Sequence, residues 1–124
     1  MTERFRYLID SNIIIYHLNA DSIATNFLKE NLGNLCISRL TFIEVLSFDF
    51  TDKQKEQVIA LLRRFEIIDT SDEIALKCIE NRKLKKIKIA DNIIASTAQV
   101  NGLTLVTRNI KDFNNLNIKI LNIF

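Results

Sequence analysis

The pattern of this chain predicts an α/β fold: a three-layer α/β/α sandwich around a mostly parallel, five-stranded sheet. Three observations carry that prediction. Short apolar runs such as Tyr7-Leu8-Ile9, Leu35-Cys36-Ile37 and Leu103-Thr104-Leu105-Val106 are strand-sized. Between them lie longer segments of helical period, and strands separated by helices pair in parallel with helices on both faces. Finally, four acidic residues, Asp10, Glu44, Asp91 and Asp112, each stand beside such a run or just inside a helix next to one. In an open parallel sheet the carboxyl ends of the strands converge on one crevice, so acids far apart in sequence are expected to meet.

The elements follow in order. Phe5 to Ile9 reads as the first strand. Asp10-Ser11-Asn12 supplies capping-type residues for a helix through Leu18. Asp21 to Asn31 is helical, with Ile23, Ala24, Phe27 and Leu28 on one stripe, and ends near Gly33. Leu35 to Ile37 is the second strand. Thr41 to Phe48 is a helix carrying Glu44, and Thr51 to Phe65 an amphipathic helix. Glu66 to Ile68 is a third short strand. Ser71 to about Lys85 is a helix with Ile74, Ala75, Cys78 and Ile79 inward. Asp91 opens another helix, which closes at Asn101-Gly102. Thr104 to Val106 and Ile118 to Leu121 are the last two strands. The right-handed crossover rule leaves few ways to connect them.

Composition bounds the function. With 124 residues, 48% of them hydrophobic, the chain is expected to form one domain over residues 1–124 with enough apolar material for a core. No apolar run approaches the roughly 20 residues of a membrane span. The sequence Met1 to Arg6 lacks the apolar stretch and cleavage site of a secretory signal. Cys36 and Cys78 are isolated, which gives neither a disulfide framework nor a zinc site and fits the reducing cytoplasm. Two glycines and no proline exclude a glycine-rich phosphate loop. The net charge of +2 is too small to identify a nucleic-acid partner.

The acids say more. Four carboxylates brought together would repel, and some would have to take up protons. A hard, oxygen-seeking cation such as Mg²⁺ or Mn²⁺ removes that conflict, so the chain is expected to be a metal-dependent enzyme. Glu44 lies among Phe42, Ile43, Val45 and Leu46, and a carboxylate on an apolar stretch needs a partner. The bland reading of Asp10 and Asp91 is a helix N-cap, a role that coexists with metal binding; that of Asp112 is a solvated turn acid. Ser38 and Thr41 have no nearby histidine, which argues against a serine-hydrolase triad. His17 is the only histidine and sits on an apolar helix, a poor place for a general base.

Four local strings now coincide in order: Leu8-Ile9-Asp10-Ser11-Asn12-Ile13, Ile37-Ser38-Arg39-Leu40-Thr41-Phe42-Ile43-Glu44, Ile89-Ala90-Asp91-Asn92-Ile93-Ile94-Ala95-Ser96-Thr97-Ala98, and Leu105-Val106-Thr107-Arg108-Asn109-Ile110-Lys111-Asp112-Phe113. Together they resemble the PIN-domain ribonucleases, most closely the VapC-type toxins of prokaryotic toxin–antitoxin pairs, over nearly the whole chain. The resemblance implies an acidic pocket that binds one or two Mg²⁺ or Mn²⁺ ions and cleaves RNA. Asp10, Glu44 and Asp91 match its acidic positions. The fourth is open: some relatives carry an acid directly after Thr-Arg, where this chain has Asn109, and others carry it three residues on, at Asp112. Asn12 and Thr107 match polar positions that hold the carboxylates in place. Also implied are 3′-hydroxyl and 5′-phosphate products, an antitoxin partner and a homodimer.

Cations fall beside these strings. Arg82-Lys83-Leu84-Lys85-Lys86-Ile87-Lys88 precedes Asp91, as a solvated helix end or a phosphate-contacting rim. Arg39 and Arg108 flank the acidic strings. Arg39, Arg108, Lys83, Lys85, Lys86 and Lys88 are thus candidates for RNA contact. Two other readings remain at this stage: an aspartyl-phosphate phosphotransferase with Asp10 as nucleophile, disfavoured by Asn12 where a second aspartate is usual, and a non-catalytic PIN-like module that binds RNA or protein.

Overall fold

The structure, a computed structural model, describes residues 5–124; the reading of residues 1–4 as part of a terminus without a secretory signal lies outside them. The elements are β1 (Tyr7–Ile9), α1 (Ser11–Leu18), α2 (Ser22–Glu30), β2 (Leu35–Ser38), α3 (Arg39–Leu46), α4 (Asp52–Leu62), β3 (Glu66–Ile68), α5 (Asp72–Leu84), α6 (Ile89–Val100), β4 (Thr104–Val106), α7 (Ile110–Phe113) and β5 (Ile120–Leu121). The five strands form one sheet in the order β3-β2-β1-β4-β5, and every pairing is parallel. The chain starts at the centre, builds outward through β2 and β3, then returns to the other side of β1 for β4 and β5. That reversal makes the carboxyl end of β1 the switch point, where α/β sheets open a crevice.

The two faces are sorted by the alternation of the strands. Ile9, Leu35, Ile37 and Val106 point into a cluster with Ile13 and Ile14 of α1, Leu28 of α2, Val45 of α3 and Leu62 of α4. Leu8, Cys36 and Leu105 point the other way, against Ile94, Ala95 and Ala98 of α6 and Phe113 of α7. Three layers result. Burial pushes the Cys36 thiol up to about 12, which leaves it inert as a nucleophile.

Three helices, α2, α4 and α5, start one residue later than expected because the expected first residue is the cap, while α4 ends at Leu62, short of the expected Phe65. Asp21, Thr51 and Ser71 accept from the backbone N–H of Ala24, Gln54 and Ile74, and Thr51 and Gln54 complete a capping box. Ser38 likewise caps α3, accepting from Thr41 N–H, so that helix starts at Arg39, ahead of the expected Thr41. The helix expected to open at Asp91 begins at Ile89 after Lys88, which places Asp91 in the first turn. It closes as expected: Gly102 takes φ 65° while Leu103 N–H reaches Ala98 O and Gly102 N–H reaches Gln99 O, the Schellman arrangement.

Three expected core residues lie outside. Ile23 is 48% exposed, Ile79 is 56% exposed, and Ala75 is exposed too. On α5 the buried stripe runs Ile74, Cys78, Asn81. Asn81 wins its place through a polar ladder to α6: its Nδ2 lies 3.2, 3.0 and 2.7 Å from Asn92 Oδ1, Ser96 Oγ and Gln99 Oε1, so its two N–H groups are shared among three acceptors. Asn92 Nδ2 in turn donates to Cys78 O. A hydrophobic stripe alone could not place an asparagine inward, since its value depends on partners from another helix.

Candidate active site

Asp10 stands at the carboxyl end of the central strand, held by Asp10 N–H donating to Val106 O at 3.0 Å. It caps α1 with extended backbone, and its side chain is 5% exposed. Both carboxylate oxygens are used. Ser11 N–H donates to Oδ1 at 2.7 Å; the Thr107 hydroxyl donates to Oδ2 at 2.7 Å, with Asn12 Nδ2 at 3.4 Å from the same oxygen. Thr107 Oγ1 also receives Asn12 Nδ2 at 3.3 Å and Asn109 N–H at 3.0 Å, which fills a hydroxyl's one donor and two acceptor positions. The loop after β4 is thereby tied to the cap of α1.

Glu44 reaches the cluster from α3, one strand away. The Ser11 hydroxyl donates to Glu44 Oε1 at 2.5 Å and lies 3.2 Å from Thr41 Oγ1. Ser11 has one proton to give, and the shorter, charge-assisted contact takes it, so Thr41 is the donor to Ser11. Thr41 and Ser11 thus form a hydroxyl relay that orients Glu44. Neither was singled out from the sequence for this role. The signal was present, since Ser11 adjoins Asp10 and Thr41 lies three residues before Glu44, but only the β1–β2 pairing brings them together.

The electrostatics show that the four acids share one neighbourhood. Asp10 is raised from 3.8 to about 6, chiefly by burial, with the Thr107 and Ser11 hydrogen bonds opposing and the charges of Asp91 and Glu44 adding. Asp91 is also raised, by burial first, then by Asp112 and Glu44, against a smaller opposing effect of Lys88. Asp112, in the first turn of α7, therefore stands within reach of Asp91. Asn109 precedes α7, makes no side-chain cap bond and is exposed. Among the described residues, no group of three His, Cys, Asp or Glu side chains is arranged to hold a metal ion as it stands. The donors nonetheless fit a hard cation in kind: they are carboxylate oxygens, two of them, on Asp10 and Asp91, raised by burial and acidic neighbours, and beside them Asn12 Oδ1 is buried without a partner. Closing on an ion requires the carboxylates to draw together.

The expected cationic rim divides. Lys83, Lys86 and Lys88 are exposed. Lys85 instead turns onto α7: its Nζ donates to Lys111 O at 2.8 Å, to Asn114 O at 3.0 Å and to Asn114 Oδ1. Arg82 Nη1 donates to Ile87 O at 2.9 Å. Arg39 pairs with Asp69 at 2.6 Å and lies over the Phe42 ring. Arg108 lies over Tyr16 and Phe124. His17 is bound to Thr25 Oγ1 at 2.8 Å, and burial lowers its pKa.

Comparison with known proteins agrees with this geometry. The profile of the family described as PIN domain matches residues 7–119. The ribonuclease VapC2 of Rickettsia felis is 34% identical over 119 residues, covering 86% of this chain and 89% of that protein. A toxin–antitoxin complex from Klebsiella pneumoniae contains a chain that superposes with a TM-score of 0.86 at 31% identity, over 95% of this chain and 98% of that one. The structure of VapBC2 from Rickettsia felis bound to a DNA fragment from its promoter gives 0.82 at 28% identity, over 95% and 98%. The profile match over residues 7–119, the 34% identity to a VapC2 ribonuclease and the acids gathered at the switch point make this chain a PIN-domain protein of the VapC family.

Proposed function

We propose that the protein is a divalent-metal-dependent endoribonuclease and the toxin of a toxin–antitoxin pair. The observation that carries the reading is the convergence of Asp10, Glu44, Asp91 and Asp112 from four separate segments, with Asp10 and Asp91 raised by burial and by their acidic neighbours. The relatives named ribonuclease VapC2 support RNA as the substrate.

Asp10, Glu44 and Asp91 would hold the metal, with Asp112, whose charge acts on Asp91, as a candidate fourth ligand beside Asn109. A Mg²⁺ or Mn²⁺ ion held there would supply a lowered pKa to water and offset charge on the leaving oxygen. The chain does the rest. Thr107, Ser11 and Asn12 fix the Asp10 carboxylate, and the Thr41–Ser11 relay fixes Glu44, so two ligands are oriented before any substrate arrives. Exposed Lys83, Lys86 and Lys88 offer charge to the RNA backbone without reading sequence. In-line attack by water gives 3′-hydroxyl and 5′-phosphate ends.

The complex from Klebsiella pneumoniae supports an antitoxin partner, and exposed Ile79, Leu84 and Ile89 on α5 and α6 offer apolar surface to a second copy. The deciding experiment incubates purified protein with cellular RNA in Mg²⁺, in Mn²⁺ and in EDTA, and maps the ends formed. Metal-dependent scission leaving 5′-phosphates is expected. RNA left intact in both metals, with the protein folded, refutes the nuclease reading.

A further inference from the structure

We propose that Arg108, Tyr16 and Phe124 form a stacking subsite that holds one unpaired RNA base beside the acidic crevice. This rests on the ribonuclease reading and states where that substrate is gripped. The Arg108 guanidinium carbon lies 5.3 Å from the Tyr16 ring centroid and 4.7 Å from that of Phe124, and the two rings are 5.1 Å apart at 59°. Three planar groups, one of them cationic, thus meet at the surface, where Arg108 is exposed and Phe124 is 37% exposed.

Two independent features place this stack at the site. Tyr16 is one helical turn beyond Asn12 on α1, so the two share a face, and Asn12 contacts Asp10 and Thr107. Arg108 directly follows Thr107, which donates to Asp10. Phe124 arrives by the sheet: Val106 pairs with Leu121 and Thr107 N–H donates to Leu121 O at 3.1 Å, which carries the following residues alongside Arg108. No carboxylate neutralises Arg108 by an ion pair among the described residues, unlike Arg39 with Asp69. Its charge, on an exposed side chain, remains for a ligand that is both flat and anionic. An unpaired nucleotide is such a ligand, since every base has a π-face and carries a phosphate.

The competing account is that Arg108 only pins the segment after β5 to α1, or meets phosphate by charge alone. The test measures binding of single-stranded oligoribonucleotides in Mg²⁺ to protein carrying Asp91→Asn, so that cleavage does not intervene. Each position in turn carries 2-aminopurine, whose fluorescence falls on stacking, or an abasic nucleotide. One position is expected to be quenched, and removing its base should weaken binding about tenfold. Arg108→Lys keeps the charge and loses the plane, so it should abolish the quench and the base dependence while leaving the salt slope unchanged. Phe124→Leu, added separately, should also lose the quench, which guards against a folding defect in either variant. A matched assay follows RNA cleavage by the parent. If the parent cuts RNA but no position is quenched, or Arg108→Lys retains the base dependence, the subsite is wrong and the nuclease reading stands. A parent that neither binds nor cuts RNA overturns both.

Discussion

Asp10 concentrates the chemistry at the scale of single residues. It caps a helix, receives a threonine hydroxyl and a backbone N–H, and is still raised to about 6 because burial outweighs those bonds. Its native carboxyl holds a proton more tightly than the unfolded chain does. The contribution to stability is therefore complete below 3.8 and is lost as pH rises through about 6. A displacement of that size corresponds to about 3 kcal/mol, and Asp91 acts in the same direction. Metal-free protein should melt at a higher temperature at pH 5 than at pH 7.5, and Asp10→Asn should remove most of the difference; thermal denaturation in EDTA at both pH values measures this. Asp91→Asn should abolish cleavage with melting unchanged or slightly raised, since it removes one charge from a repelling set. Full activity in that variant would take Asp91 out of the site.

At the scale of elements, the site depends on how α7 and α6 are joined. Lys85, in the segment between α5 and α6, spends its ammonium protons on carbonyls at the end of α7 and thereby ties the segment leading to Asp91 to the turn that carries Asp112. We propose that it acts as a latch and not as the phosphate contact expected from the sequence. Lys85→Met should lower turnover, because the spacing of Asp91 and Asp112 loosens, yet leave the salt dependence of RNA binding as it was. Substituting Lys83, Lys86 or Lys88 should instead flatten that dependence by about one unit of slope or less for each lost contact. Filter binding across a salt series distinguishes the two. A slope that falls in Lys85→Met as in its neighbours would make Lys85 part of the rim.

At the scale of the whole molecule, metal binding is expected to be linked to folding. A cation that binds the assembled carboxylates but not the scattered ones of the unfolded chain stabilises the native state by mass action. Millimolar Mn²⁺ or Mg²⁺ should raise the melting temperature more than NaCl of equal ionic strength, and the excess should vanish in Asp10→Asn; coincident curves would argue against metal binding at this site. Induced expression of the parent should slow growth and fragment cellular RNA, while Asp91→Asn should do neither. Co-expression of a partner able to place an arginine among the carboxylates should restore growth, since the planar fork pairs with a carboxylate and competes with metal by charge. Soluble parent protein with no effect on growth or RNA would refute the toxin role.

The sequence by itself determined the class of fold, the strand positions and the three acids that match a metal-binding pattern. Those properties are local: a buried strand is a short apolar run, a cap is a serine, threonine or aspartate before a helix, and Asp10, Glu44 and Asp91 keep fixed places in contiguous strings. Tertiary structure decided what depends on two segments meeting. Asn81 is buried because α6 offers it three acceptors, so the inward face of α5 was misread at Ala75 and Ile79. Lys85 and Arg108 are indistinguishable from solvated cations in the sequence, and only α7 and the β4–β5 register give them partners. The charge of Asp112 likewise reaches Asp91 across a gap that no sequence spacing encodes.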